Sequence, residues 1–178
     1  MVEERAALRA SAELIGALLL REVDGESLER MREPQLAAAL AEFGVELPEI
    51  AAQTEWLEER GADYHDLFLR PETGPLVQSL WTQGRYEGDA AVRVRQLAEA
   101  AGVEFQPEAA RGAAPDHLGS LLLLWAATDE RVQVVADEVA NEHLAWSSAP
   151  LQRVESAGGF YGSLAKVAAE LVEAIRPS

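Results

Sequence analysis

Apolar residues recur every three to four positions along nearly the whole chain, and no stretch alternates apolar with polar long enough to make a strand. This pattern predicts an all-α fold, a bundle of about nine to eleven helices. Residues 4–20 place Leu8, Ile15, Leu18 and Leu19 on one broad face. Asp24-Gly25 reads as a turn, with a short helix from about Ser27. Pro34 opens a helix that Gly44 closes, and Pro48 opens the next. Tyr64, Leu67 and Phe68 share a face by their i, i+3, i+4 spacing. Asp89 is placed to cap a helix stopped by Gly102. Thr128-Asp129 is placed to cap one running through Val132, Val135 and Val139 to Trp146. Gly158-Gly159 breaks the chain before a last helix, from Phe160 to about Arg176.

One segment, Leu121 to Ala127, is apolar on nearly every side, which predicts a central, buried helix. It follows Ala114-Pro115-Asp116-His117. Pro115 suits a first helical turn, and Asp116 in that turn would face the positive end of the helix dipole. Residues 105–113 carry Pro107 and Gly112 and read as a linker. The expected organisation is therefore a helical lobe over 1–104, a hinge over 105–114 that includes Ala114 next to Pro115, and a second lobe over 115–178. The two lobes would pack as one compact unit. A linker of this kind permits a monomer or a domain-swapped dimer.

Charge narrows the partners. Thirty-one acids stand against 15 bases, a net charge of −16, and Lys166 is the one lysine. Such a field repels nucleic acid and anionic membranes and attracts basic partners. The alternative is that the acidity merely serves solubility or adaptation to salt. The chain lacks cysteine, which excludes disulfides and thiolate chemistry and fits a reducing compartment. The acidic start is unlike a signal peptide, and the longest apolar run is too short to span a bilayer. A cytoplasmic protein without stable membrane insertion is expected.

Enzymatic motifs are absent. There is no phosphate loop, no G-x-G-x-x-G, no H-E-x-x-H and no G-x-S-x-G elbow. Ala62, Ala114 and Ala140 stand three residues before His65, His117 and His143, so no Glu-x-x-His metal motif exists. Glu142 and His143, adjacent on a helix, point about 100° apart and chelate poorly. No catalytic residue, metal or cofactor is expected. His65 and Asp66 are expected on a solvated face and His143 on a helix surface or half-buried. The four tryptophans read as core or groove wall.

Several stretches in order resemble the redox-enzyme maturation chaperones of the TorD/DmsD/NarJ type. Tyr64-His65-Asp66-Leu67-Phe68 is similar to that family's Tyr-x-x-Leu-Phe. Pro75 to Trp81 is similar to its proline loop followed by Glu-Ser-Val-Tyr, with Gln78-Ser79-Leu80-Trp81 in place of the tetrapeptide. Pro115-Asp116-His117-Leu118 is similar to its Glu-Pro-Asp-His-Leu hinge, with Ala114 for the glutamate. His143-Leu144-Ala145-Trp146 and Phe160-Tyr161-Gly162-Ser163-Leu164-Ala165 are similar to its closing helices. The resemblance implies a chaperone, not an enzyme, that binds the N-terminal signal, often twin-arginine, of a molybdopterin oxidoreductase until its cofactor is inserted. Tyr64, Leu67, Phe68, Gln78, Ser79 and Trp81 would line the client groove. Asp116 would meet an arginine, and His117 would add a hydrogen bond or set the hinge. Weak guanine-nucleotide binding is suggested within the family, although no phosphate motif supports it here. The alternatives are a small helical enzyme or nucleotide switch using Asp116 and His117, or a permanent structural subunit of a reductase.

Overall fold

The computed structural model describes residues 2–70, 74–106 and 113–176, except for the side chain of Val2. The chain is all-helical, with no strand among the described residues. Its α-helices are α1 (Val2–Leu20), α2 (Gly25–Met31), α3 (Pro34–Glu42), α4 (Gln53–Tyr64), α5 (Gln78–Gln83), α6 (Asp89–Ala101), α7 (Leu118–Thr128), α8 (Gln133–Glu138), α9 (Ser148–Ala157) and α10 (Gly159–Ile175). Two π-helical turns extend the series, His65–Leu69 after α4 and Val139–His143 after α8.

α7 is buried on most of its surface, as its composition demands. α1 packs along it, and α10 packs on α1 and α9. Gly16 and Gly119 let the first pair approach closely. A Cβ on Gly119 would lie 2.5 Å from the Gly16 carbonyl oxygen, and one on Gly16 would lie 2.9 Å from that of Gly119. The crossing is locked at one end by Asp129, buried just after α7, which accepts hydrogen bonds from Arg5 and Arg9 of α1. Burial alone pushes its carboxyl up, but the two guanidinium groups outweigh that and hold it below the ordinary carboxylate range. One core runs through residues of both halves of the chain, from Ala12 to Ile175. The middle of the expected hinge, residues 107–112, lies outside the described residues, as do residues 71–73 of the proline loop.

Several local expectations need correction. Asp24 caps α2 by accepting the Ser27 N–H at 2.9 Å, so that helix starts at Gly25. Gly88, not Asp89, is the N-cap of α6. Asp129 does not cap the following helix: it is the C-cap of α7, the arginines of α1 claim its carboxylate, and α8 starts only after Val132. The helix expected to run to Trp146 instead ends in the π turn. α9 then begins at Ser148 with Pro150 inside its first turn, where the missing N–H costs nothing.

Candidate functional site

The similar stretches converge in space. Tyr64 and Phe68 pack together with their rings tilted and centroids 5.0 Å apart, and each meets Tyr161 of α10, at 5.7 and 5.4 Å. Phe160 continues the cluster to Trp56 at 5.2 Å. The Tyr64 hydroxyl donates to the Leu19 carbonyl of α1 at 3.1 Å. Leu67 is half-buried against the core, while His65 and Asp66 stand exposed.

The segments 76–78 and 116–118 pair antiparallel for a single bridge, Val77 with His117. The Leu118 N–H donates to the Leu76 carbonyl at 2.8 Å and the Gln78 N–H to the Asp116 carbonyl at 3.0 Å. This pairing holds His117 extended, with ψ at 138°, so α7 begins at Leu118 and His117 is its N-cap. The ring Nδ1 accepts the Gly119 N–H at 3.1 Å. Nε2 therefore carries the proton of the neutral ring. Burial lowers the pKa of His117 to about 4.

Asp116 does not cap α7. Its buried Oδ2 accepts the Ser79 N–H at 2.8 Å and the Ser79 hydroxyl at 2.5 Å, capping α5 from 37 residues away. Its Oδ1 is buried without a hydrogen-bond partner. Gln78 is buried between this turn and the π turn after α8. Its Oε1 accepts from His143 Nδ1 at 2.9 Å, and its Nε2 donates to the Glu142 carbonyl at 3.2 Å. His143 is buried, neither on a helix surface nor half-buried, and burial lowers its pKa.

A cleft of about 1000 Å³ opens beside these elements. Tyr64, Phe68, Val77, Ala114, Pro115 and His117 belong to its lining, so the Tyr64–Phe68 stretch and the expected hinge face one space. Leu69, 57% exposed, and Tyr86 add apolar surface at the cleft. Four of the expected site residues, Leu67, Gln78, Ser79 and Asp116, are not in the lining; they support it from behind. Trp81 is not in it either. Its indole N–H donates to the Pro75 carbonyl at 2.8 Å, and the guanidinium of Arg153 lies 5.6 Å over its ring. Arg153 in turn donates to the Gly74 carbonyl at 2.8 Å. Gly74 has φ at +75°, and a Cβ there would come within 3.3 Å of Trp81. Trp81 and Arg153 thus pin the segment that carries Pro75 and Val77 into the cleft wall. Sequence reasoning missed Leu69, Tyr86 and Glu87, all in the lining. An apolar residue directly after an amphipathic face was the available signal for Leu69.

Asp116 and His117 are engaged with different partners, so they do not form a relay. No group of three or more His, Asp or Glu able to hold a metal exists among the described residues. No described helix is long and apolar enough to cross a membrane.

The structure is similar to that of a redox enzyme maturation protein from Archaeoglobus fulgidus, with a TM-score of 0.61 and 23% identity over 92% of this chain and 93% of that one. No curated protein matches the sequence. The profile of the nitrate reductase delta subunit family matches residues 30–154, a span that holds the Tyr64–Phe68 stretch, the proline loop, the Asp116–His117 turn and His143. The chain belongs to the nitrate reductase delta subunit family, the NarJ/TorD-type chaperones of redox enzymes.

Proposed function

We propose that this chaperone holds the N-terminal segment of a redox enzyme, a molybdopterin oxidoreductase, in the cleft between Tyr64–Leu69, Pro75–Val77 and Ala113–His117. It would keep the apoenzyme in the cytoplasm until its cofactor is in place, and the reading makes it a binding protein, not an enzyme. The observation that carries the reading is the cleft itself. It is large, mostly apolar, open to solvent, and lined largely by residues within the span that the family profile matches. An apolar helix-forming segment would bury its face against Tyr64, Phe68, Leu69 and Val77. The surrounding excess of acid favours a segment with basic residues, such as a twin-arginine signal. Asp116 and Gln78 would act through the wall they hold, by fixing where α5 and α7 begin.

The test is capture of the apoenzyme of a molybdopterin oxidoreductase, with and without its N-terminal segment, from a host that co-expresses it with this chain. Leu69→Asp is the matched variant, because Leu69 is exposed and its loss leaves the core intact. Capture should require the segment and fall about tenfold or more in the variant, the worth of one buried leucine. Capture that ignores both the segment and Leu69 would remove the cleft from the mechanism.

A further inference from the structure

The turn between α5 and α6, Gly84-Arg85-Tyr86-Glu87-Gly88, reaches the lining of the cleft through Tyr86 and Glu87. Glu87 has φ at 52°, the one non-glycine residue with positive φ among the described residues. A glycine would adopt that conformation freely, whereas a glutamate is strained in it. Nothing among the described residues repays the strain. The Glu87 side chain is 78% exposed, and its partner Arg95 of α6 is 3.4 Å away and itself half exposed. An ion pair of that length and exposure adds little to stability. Tyr86, beside it, is 54% exposed. Backbone strain of this kind persists where the conformation is used.

We infer that Tyr86 and Glu87 form a receptor for one basic side chain of the segment held in the cleft, a residue that adjoins its apolar stretch. The inference rests on the reading of the cleft given above. The carboxylate would accept the N–H groups of the arriving guanidinium or ammonium, and the tyrosine ring offers it an aromatic face. Arg95, which holds Glu87 at rest, competes for the same carboxylate. The occupant's charge follows from the site: an acid and an aromatic ring, presented together at the cleft by a strained turn, complement a cation and repel a carboxylate.

The experiment uses the full chain and two synthetic peptides. Both carry the same leucine- and alanine-rich helix-forming stretch, flanked by arginine in one and by glutamine in the other. Fluorescence anisotropy should show about three- to tenfold tighter binding of the arginine peptide, as expected for an exposed pair strengthened by charge-assisted hydrogen bonds. Glu87→Gln should bring the ratio between the peptides close to one, and Arg95→Gln, which frees the carboxylate, should widen it. Glu87→Gly, relieved of its strain, should melt no earlier than the parent yet lose the same preference, which separates binding from folding. A preference that survives in folded Glu87→Gln overturns the receptor. Equal binding of both peptides by the parent chain does so too, while leaving the cleft reading intact. Failure of both peptides to bind the parent chain overturns both readings.

Discussion

His117 works only while it is neutral. Its Nδ1 must accept the Gly119 N–H, and a proton there would turn the acceptor into a donor and open the cap of α7. Burial lowers its folded pKa to about 4, against an ordinary value near 6.5. Between those values the unfolded chain binds a proton that the folded chain does not, so stability falls as pH falls from about 6.5 toward 4. The full shift corresponds to roughly 3 kcal/mol. His143, also lowered by burial, adds in the same direction. Asp129 and Asp24, whose pKa values are lowered, hold their stabilisation above the ordinary carboxylate range and lose it only at more acid pH. Urea unfolding at a series of pH values should therefore show a slope between pH 6.5 and 4 that His117→Asn, which keeps an N-cap acceptor, makes shallower. An unchanged slope in that variant would mean that the imidazole is not the group responsible. That the chain turns into a buried helix at Asp116 and His117 was legible from their place before the apolar run. Their roles were not, because both are set by pairing with residues 76–79, far away in the chain. Local propensity puts an acid in the first turn of the nearer helix; the fold gives that acid to α5 and leaves the cap of α7 to histidine.

The close crossing of α1 and α7 is the element-scale feature on which the core depends. Gly16 and Gly119 face each other's main chain, so an added methyl group meets a carbonyl oxygen that cannot rotate away. Gly119→Ala and Gly16→Ala should each destabilise by roughly 1–3 kcal/mol, the usual cost of overpacking, even though alanine is the better helix former. Thermal melts would show it, and a variant as stable as the parent would mean that the helices slide apart at little cost. Helix existence was readable from periodicity, and so were the stops at Gly44, Gly102 and Gly158, each with positive φ. Two things were not. The π-helical turns after α4 and α8 shift the register of His65–Leu69 and Val139–His143 without any local sequence mark, and such turns concentrate at functional sites. Asp129 reads as a cap beside Thr128, but its partners Arg5 and Arg9 are more than a hundred residues away.

At the scale of the molecule, the cleft lining and the whole surface differ in charge. The lining holds Glu22 and Glu87 but also Arg21 and Arg95, which balance them, while the chain as a whole carries −16. On the proposed reading, long-range attraction of a basic segment would therefore come from the entire surface, and retention from apolar contact in the cleft with one charge contact at Glu87. These two parts respond differently to salt. The screening length is about 8 Å at physiological ionic strength and about 3 Å at 1 M, so steering is lost on adding salt while buried apolar contact persists. Stopped-flow association of an arginine-bearing leader peptide should slow strongly between low and high salt, with a much smaller change in the dissociation rate. Glu87→Gln removes one charge of thirty-one acids. It should leave the salt dependence of association almost intact while speeding dissociation of that peptide. An association rate indifferent to salt would assign the acidic surface to solubility alone. A salt dependence abolished by Glu87→Gln would place the attraction at the cleft and not in the field of the molecule.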